Sequence, residues 1–142
     1  MDNYLINCIS YIDFYNGYLN LMYEFSNFEK NDITYDYFKK YIDERETKKI
    51  LVIHHNNIVI GAGTIFKLEK IHNNPIGQIE DVIISKDYRN LGLGKLLIKK
   101  LIDIGIYEFK CYKITLNCLD KNIEFYKKLK FHIAGVQLKL LS

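Results

Sequence analysis

The sequence has little of what marks membrane, secreted and fibrous proteins. Its 142 residues include one proline and three cysteines, and no apolar run approaches the ~18 residues of a membrane-spanning helix. The first residues do not resemble a signal or transit peptide. Three is an odd number for a disulfide framework, so reduced thiols in the cytoplasm are the simpler interpretation. We therefore expect a cytoplasmic protein with no membrane partner.

Metal and nucleic-acid sites are also disfavoured. Cys8, Cys111 and Cys118 lack the C-x-x-C spacing of zinc sites, so we expect no metal. The formal net charge is +3, and Arg45 and Arg89 are the only arginines. Because abundant Ile, Asn, Lys and Tyr are typical of A/T-biased codon usage, the scattered lysines predict no nucleic-acid partner. Because arginine is rare in this chain, by contrast, Arg89 beside Gly92 and Gly94 indicates a specific role.

What the chain does contain is the composition of one globular domain. Apolar residues make up 49% and charged residues 26% of the sequence. A chain of this length buries roughly 70% of its unfolded surface. We find no linker, repeat or low-complexity tract. Residues 1–142 are therefore expected to form a single domain.

The periodicity of the apolar residues predicts strands first and strand–helix pairs later. We predict strands over 4–12, 50–53, 58–68, 77–85, 112–118 and 131–140. We predict helices over 14–25, 91–109 and 120–129, and one that starts within 31–34. This order predicts an α/β fold with three layers around a mixed sheet. Gly61 and Gly63 lie inside a strand, which suggests a bulge or a close backbone approach.

A glycine-bearing turn connects a strong predicted strand with the longest helix. Its residues are Arg89, Asn90, Leu91, Gly92, Leu93, Gly94 and Lys95. Backbone N–H groups at a helix start, glycines that allow close approach and two cations suit a pyrophosphate. The G-x-G-x-x-G pattern is incomplete, and the P-loop pattern is absent. A tight turn with a purely structural role is the alternative.

The first six residues of this turn match the [Q/R]-x-x-G-x-[G/A] motif, so the chain resembles the GCN5-related N-acetyltransferase (GNAT) superfamily. In that superfamily the motif holds the pyrophosphate of acetyl-CoA. Within it, four ordered blocks are similar to the glucosamine-6-phosphate N-acetyltransferase family. They are IEDV at 79–82, LGKLL at 93–97, CYKITLNC at 111–118 and NIEFYKK at 122–128. The resemblance extends over about residues 58–137.

This resemblance implies a fold, a reaction and an assembly. The expected fold is a three-layer α-β-α fold around a mixed, splayed sheet. The expected reaction transfers acetyl from acetyl-CoA directly to D-glucosamine 6-phosphate, which gives N-acetylglucosamine 6-phosphate for UDP-N-acetylglucosamine synthesis. Family members commonly form homodimers through their last strand. In this chain the strand at 131–140 could be internal or exchanged.

The resemblance also implies catalytic roles. We expect Glu80 to act as the base through a water, and Asp81 to bind the sugar or to help electrostatically. Adjacent residues of a strand point to opposite faces unless a bulge turns them. The backbone N–H near Val82 would stabilise the oxyanion. Tyr126, whose phenol has an ordinary pKa of about 10, would donate a proton to the departing thiolate (thiol pKa about 8.5), because a hydrogen bond that tightens as charge builds on the sulfur helps it to leave.

Binding residues are implied in the same way. For acetyl-CoA they are the turn residues 89–95 with Val82, Ile83, Ile84, Asn122, Tyr126 and Lys128. For the amino sugar they are Lys70, His72, Glu80, Asp81, Tyr112, Lys113 and Asn117.

Two positions depart from the family pattern. Asn117, which we also expect in the catalytic set, stands where many relatives carry an acid, although its amide oxygen can still accept a hydrogen bond. Lys139 lies where some relatives direct an arginine at the sugar phosphate. Both departures favour a second reading, in which the acceptor is another small amine or a peptide amine, whereas the block at 111–118 argues against it. A non-catalytic acyl-CoA-binding or dimerisation module is a third reading, and the presence of both Glu80 and Tyr126 argues against it.

Overall fold

A computed structural model describes residues 3–142. The strands are β1 (Tyr4–Cys8), β2 (Lys48–His55), β3 (Ile58–Lys70), β4 (Asn73–Ile84) and β5 (Lys113–Leu116). The α-helices are α1 (Tyr18–Phe25), α2 (Tyr35–Asp43), α3 (Leu93–Asp103) and α4 (Ile123–Lys128). A π-helical segment, Ile104–Glu108, follows α3 directly.

The five strands form one mixed sheet in the order β1-β2-β3-β4-β5. β1 to β4 are antiparallel to their neighbours, whereas β5 is parallel to β4. One apolar core lies between the sheet and helices α1 and α2. A second core lies between the opposite face and helices α3 and α4. The predicted three-layer α/β fold is therefore confirmed, and we call these sides the α1/α2 face and the α3 face.

The β2–β3 hairpin follows from its sequence. Asn56 and Asn57 both have left-handed backbones, with φ of 51° and 64°. Two such residues make the type of turn whose twist matches that of antiparallel strands, and asparagine tolerates it well. The apolar run on β2 is continuous because both faces of this strand are covered, and Val52 and Ile53 are fully buried.

The N-terminal third differs from the prediction. The first strand ends at Cys8, not at residue 12, because the chain turns into a 3₁₀ helix, Tyr11–Phe14. Asp13 closes this turn by accepting a hydrogen bond from the Ser10 N–H at 2.8 Å, and it pairs with His54 at 2.5 Å. The predicted helix over 14–25 is shorter, because α1 begins after Gly17, whose φ is +101°.

The last predicted strand, over 131–140, is not formed in the single chain. Residues 131–142 carry no strand assignment, and Val136, Leu138 and Leu140 are about nine-tenths exposed. A strand needs a partner for its backbone groups, and the tail has none within the described chain. No helix described over residues 3–142 combines the length and apolarity needed to span a bilayer.

Candidate active site

β4 carries a bulge at the two adjacent acidic residues. The register with β3 shifts between Ala62 and Thr64. In this interval β3 contributes only Gly63, whereas β4 contributes both Asp81 and Val82. Asp81 has a left-handed backbone with φ of 55°. Such a bulge bends the strand and changes the direction of the side chains that follow.

Gly63 is needed opposite the bulge because helix α3 packs close to it. A Cβ atom at this position would lie 2.9 Å from Cδ1 of Leu101 and 3.3 Å from Cδ2 of Leu97. Both leucines are fully buried, so neither can move aside easily. The prediction of a close approach or a bulge near Gly63 is therefore confirmed.

The bulge places both carboxylates on one side of the sheet. Ile79 and Val82 both pack into the core on the α3 face, whereas Ile83 packs on the α1/α2 face. Residues three apart would point to opposite faces of a regular strand. The extra residue therefore lies between them, and Glu80 and Asp81 both belong to the α1/α2 face.

Asp81 sits in a half-buried environment that contains tyrosines. Burial raises the pKa of its carboxyl group, and the nearby charge of Glu80 raises that pKa further. The pKa values of Tyr18 and Tyr41 are raised mainly by burial, and also by the negative charge of Asp81. Helices α1 and α2 therefore bring two phenols near the acidic pair. Sequence reasoning missed both tyrosines, because each belongs to an apolar helical stripe that is typical of packing.

Asp81→Asn should raise the thermal unfolding temperature at pH 7. The folded-state pKa of Asp81 is raised, so folding favours the protonated carboxyl and the charged form costs stability at neutral pH. The gain should shrink as the pH falls through the raised pKa towards the ordinary value, where the wild-type carboxyl is protonated too. Thermal melts from pH 4 to 8 measure this, with Asp32→Asn as an exposed control. An Asp81→Asn protein less stable at pH 7 than at pH 4, relative to wild type, would contradict it.

The sheet opens directly before the bulge. β5 pairs with β4 only from Ile76 to Ile79. From Glu80 to Ile84, β4 therefore continues without a β5 partner among the described residues. On this side of β4, the backbone groups over residues 80–84 have no β5 partner within residues 3–142, and the carbonyl oxygen of Ile84 accepts from Nε of Arg89 instead. Unpaired polar groups along a strand edge can bind an extended chain that lies beside them. The expected splay of the sheet is thus confirmed.

The turn after β4 is shaped to receive an anion. Asn90 and Gly92 both have left-handed backbones, with φ of 65° and 80°. Gly92 is the N-cap of α3, and no described atom lies within 4 Å of the position that a Cβ would take. The first N–H groups of α3 receive no side-chain cap. Free N–H groups at an open helix start form a concave anion site.

Two cations and a second glycine complete the turn. Nε of Arg89 donates to the carbonyl oxygen of Ile84 at 2.9 Å, which ties the turn to the end of β4. Lys95 is exposed in the first turn of α3. A Cβ at Gly94 would lie 3.8 Å from Phe125 and 3.9 Å from Ile84. Gly94 therefore lines the gap between the end of β4 and helix α4.

Helix α4 borders this gap with Phe125 and packs Tyr126 against the core on the α3 face. The Tyr126 ring lies between Phe125 and Phe131, at centroid distances of 5.0 and 5.8 Å. Burial raises the pKa of its hydroxyl, and the nearby Cys118 raises it further. Asn122 is the N-cap of α4, and Lys128 is its last residue and is exposed.

The predicted sugar-binding residues are not all brought together. Thr115 lies beside β4 on the α1/α2 face. Lys113 and Asn117 are each two residues from Thr115, so the alternation of side chains along a strand directs them to the same face. Lys70 and His72 instead lie at the tip of the β3–β4 hairpin, where Lys70 pairs with Asn73. The strand over 73–80 is roughly 23 Å long, so this tip is remote from Glu80 within one chain.

The other predicted residues fall at the edges of the site. Tyr112 directly precedes β5, and its N–H donates to the carbonyl oxygen of Pro75 at 3.0 Å. Asn117 is exposed just beyond the end of β5. Within residues 3–142, no three His, Cys, Asp or Glu side chains come together as a metal site would require.

Gln78 and Thr115 are the polar residues of this region that sequence reasoning missed. Nε2 of Gln78 donates to Oε1 of Glu80 at 3.1 Å. The hydroxyl of Thr115 donates to Oε1 of Gln78. The i, i+2 spacing of Gln78 and Glu80 on one strand was a usable signal, because such residues share a face.

The chain is similar in sequence to curated proteins that are named as N-acetyltransferases. The glucosamine 6-phosphate N-acetyltransferase 1 of Dictyostelium discoideum is 38% identical over 86 residues, which are 59% of this chain and 54% of that protein. The glucosamine 6-phosphate N-acetyltransferase of Schizosaccharomyces pombe is 34% identical over 104 residues, 68% of this chain and 90% of that protein. The chain thus spans about half the length of the first relative.

Likeness extends to solved structures. The crystal structure of a Trypanosoma brucei acetyltransferase superposes with a TM-score of 0.89 at 25% identity, covering 99% of this chain and 100% of that one. Residues 13–131 match the model of the acetyltransferase (GNAT) family. This span includes the bulged strand, the turn at residues 89–95 and helix α4. The chain belongs to the acetyltransferase (GNAT) family.

Proposed function

We propose that this protein transfers the acetyl group of acetyl-CoA to the amine of D-glucosamine 6-phosphate. The product, N-acetylglucosamine 6-phosphate, would supply UDP-N-acetylglucosamine synthesis. The observation that carries the proposal is the bulge that turns Glu80 and Asp81 to one side, at the point where the sheet opens. The names of the two curated relatives support the acceptor. Family membership supports the acetyl donor.

The donor would bind along the open side of β4. The pyrophosphate would accept hydrogen bonds from the N–H groups of residues 91–95, with Arg89 and Lys95 supplying positive charge. The pantetheine arm would run beside Val82, Ile83 and Ile84. Asn122, Tyr126 and Lys128 would bound the cleft on the α4 side. Support comes from the open space at Gly92 and from Gly94, which lines the gap towards α4.

The proposed reaction is a direct attack without an acyl-enzyme. The amine nitrogen forms a bond to the thioester carbonyl carbon, and the C–S bond then breaks. The ammonium form cannot attack, so Glu80 removes a first proton through a water before the attack, and a second proton leaves the nitrogen to solvent as the tetrahedral intermediate collapses to the amide. Asp81 binds the sugar or stabilises the positive charge that develops on the nitrogen during the attack, while the N–H of Val82 stabilises the oxyanion. Tyr126 gives its proton to the leaving sulfur.

The sugar itself would be held by Tyr112, Lys113 and Asn117. Lys113 is the one cation of this set, so it suits the phosphate, and the amide oxygen of Asn117 suits a hydroxyl. The remoteness of the hairpin tip from Glu80 weighs against Lys70 and His72 as ligands of the same acceptor within one chain.

Release of free thiol from acetyl-CoA tests the function. We expect turnover with glucosamine 6-phosphate and much less with glucosamine, because the latter lacks the phosphate that Lys113 would bind. Spermidine and a peptide amine complete the panel. Turnover with spermidine but not with the sugar phosphate would favour the second reading, another amine as acceptor. Acetyl-CoA binding without any turnover would favour a non-catalytic module.

Arg89→Ala should raise the KM for acetyl-CoA by about tenfold or more, with little change in kcat. It removes charge-assisted hydrogen bonds to the pyrophosphate, each of which contributes roughly 1.5–3 kcal/mol. The defect should disappear with S-acetylpantetheine, which has no pyrophosphate. Arg45→Ala is the matched control, because Nε of Arg45 also donates to a backbone carbonyl oxygen, that of Ile42. An unchanged KM for acetyl-CoA would show that the turn is only structural.

We also propose that the protein is a homodimer joined by its C-terminal tail. The apolar tail residues are all exposed in the single chain: Ile133, Val136, Leu138, Leu140 and Leu141. Exposed apolar residues of this density usually mark an interface. Sedimentation should show a dimer for the full chain and a monomer after deletion of residues 132–142. A monomeric full chain would contradict the proposal.

A cytoplasmic location completes the proposal. Cys8, Cys111 and Cys118 are all free thiols. Unpaired cysteines are typical of a reducing compartment. Fractionation of cells that produce the protein, with detection by antibody, tests this location, and recovery in a membrane or secreted fraction would contradict it.

A further inference from the structure

A chain of hydrogen bonds crosses the junction of β4 and β5 just before the sheet opens. Thr115 and Gln78 are directly paired in the parallel register of these strands. The Thr115 hydroxyl donates to Oε1 of Gln78. Nε2 of Gln78 in turn donates to Oε1 of Glu80 at 3.1 Å. All three side chains are partly buried, so water competes only partly for these bonds.

The hydrogen bonds run in one direction, from Thr115 through Gln78 to Glu80. An ionised carboxylate can only accept hydrogen bonds, so Glu80 needs the NH₂ end of the Gln78 amide. A flipped amide would place its carbonyl oxygen against the carboxylate. Thr115 opposes that flip, because its hydroxyl is donated to Oε1 and keeps the NH₂ end towards Glu80. The threonine therefore acts on Glu80 through the glutamine.

The geometry points to Gln78 and Thr115 as positioning residues for Glu80, an inference that rests on the proposed function. Gln78 holds Oε1 of Glu80 and leaves Oε2 for the acceptor amine or its water. A neutral amide orients the carboxylate without cancelling its charge, which a lysine would do. A base held in one orientation avoids the loss of rate that comes from a misplaced reacting group.

Two variants remove one link each. Gln78→Met keeps the length of the side chain but removes the donor, and should lower kcat by about 10- to 100-fold, the value of a hydrogen bond to a charged group. Thr115→Val keeps the β-branched shape but removes the hydroxyl. It should lower kcat by about three- to tenfold, because the amide is then free to flip. The KM for acetyl-CoA should change little in both, since both residues lie where β4 and β5 are still paired, before the open stretch along which the donor would bind.

Two further measurements separate positioning from a general structural role. Thr115→Ser restores the hydroxyl and should recover most of the kcat lost in Thr115→Val. In a Glu80→Gln background, Gln78→Met and Thr115→Val should cause no further loss of kcat, because the group that they orient no longer acts as a base. Thr115→Val with unchanged kcat, or equal losses with and without Glu80, would overturn the inference.

The side-chain amide signal of Gln78 gives a readout that does not depend on the acceptor. In the wild type its two NH₂ protons should be distinct and protected from exchange, whereas Thr115→Val should lower that protection. If the wild type does not acetylate glucosamine 6-phosphate, the proposed function fails, and the kinetic comparison moves to whichever amine is turned over. An amide signal that Thr115→Val leaves unaltered would overturn the inference in either case.

Discussion

Glu80→Gln should lower kcat for acetyl transfer by a factor of about 10²–10⁴, the usual contribution of a general base. The substitution keeps the size of the side chain and a carbonyl oxygen that can accept the hydrogen bond from Nε2 of Gln78. The site should therefore stay assembled while the amide takes up no proton. The KM for acetyl-CoA should change little, because the turn proposed to bind the pyrophosphate lies at the other end of the open stretch of β4. Initial rates of thiol release at saturating acceptor measure the effect.

The pH dependence of the Glu80→Gln rate gives a second test of Glu80 as the base. A lost base should cost least at high pH, where more of the acceptor amine is already neutral. Glu69→Gln is the matched control, since Glu69 is an exposed carboxylate on β3 that pairs with Lys67 at 3.1 Å. A rate that equals that of the wild type across the whole pH range would remove Glu80 as the base. A loss confined to the KM of the sugar would instead assign it to binding.

Tyr126→Phe should lower kcat by about 10² while leaving the binding of acetyl-CoA nearly unchanged. This is the low end of acid–base contributions, because a thiolate already leaves well without help. Phenylalanine keeps the ring contacts with Phe125 and Phe131, so α4 should stay in place. Single-turnover measurements separate the chemical step from product release. Tyr107→Phe, at an exposed tyrosine, is the control.

The raised pKa of Tyr126 adds a condition to this result. Because burial favours the neutral phenol, the proton that Tyr126 must give stays available at pH values up to the ordinary value of about 10. The wild-type rate should therefore show no loss from Tyr126 ionisation between pH 7 and 9. Full kcat in Tyr126→Phe would refute the acid role and leave Tyr126 as a packing residue.

The elements that were predicted well are those whose conformation depends on nearby residues. Helix α3 buries Leu93, Leu97 and Leu101, as their spacing predicts. The turn at residues 89–94 forms between a strand and a helix, because Asn90 and Gly92 accept left-handed backbones more readily than most residues. Local sequence carries this information, since the atoms that decide it are close together in the chain.

The elements that were predicted poorly lack such local determination. The strand over 131–140 was predicted from its alternating pattern, but a strand exists only with a partner, and the single chain offers none to this tail. The predicted first strand and first helix are longer than the observed β1 and α1, because the pairing of Asp13 with His54 on β2 closes a turn between them. That contact joins residues far apart in sequence.

Sequence alone was enough for the family resemblance, the three-layer fold and the glycine-bearing turn at residues 89–95, because motifs and periodicity express short-range requirements. Only the folded chain decided that Glu80 and Asp81 share a face, since the bulge depends on the register with β3 and on the absence of a side chain at Gly63. The folded chain also brought Tyr18 and Tyr41 towards Asp81 and Thr115 towards Gln78. These contacts join separate elements, and the packing of the whole sheet sets their geometry.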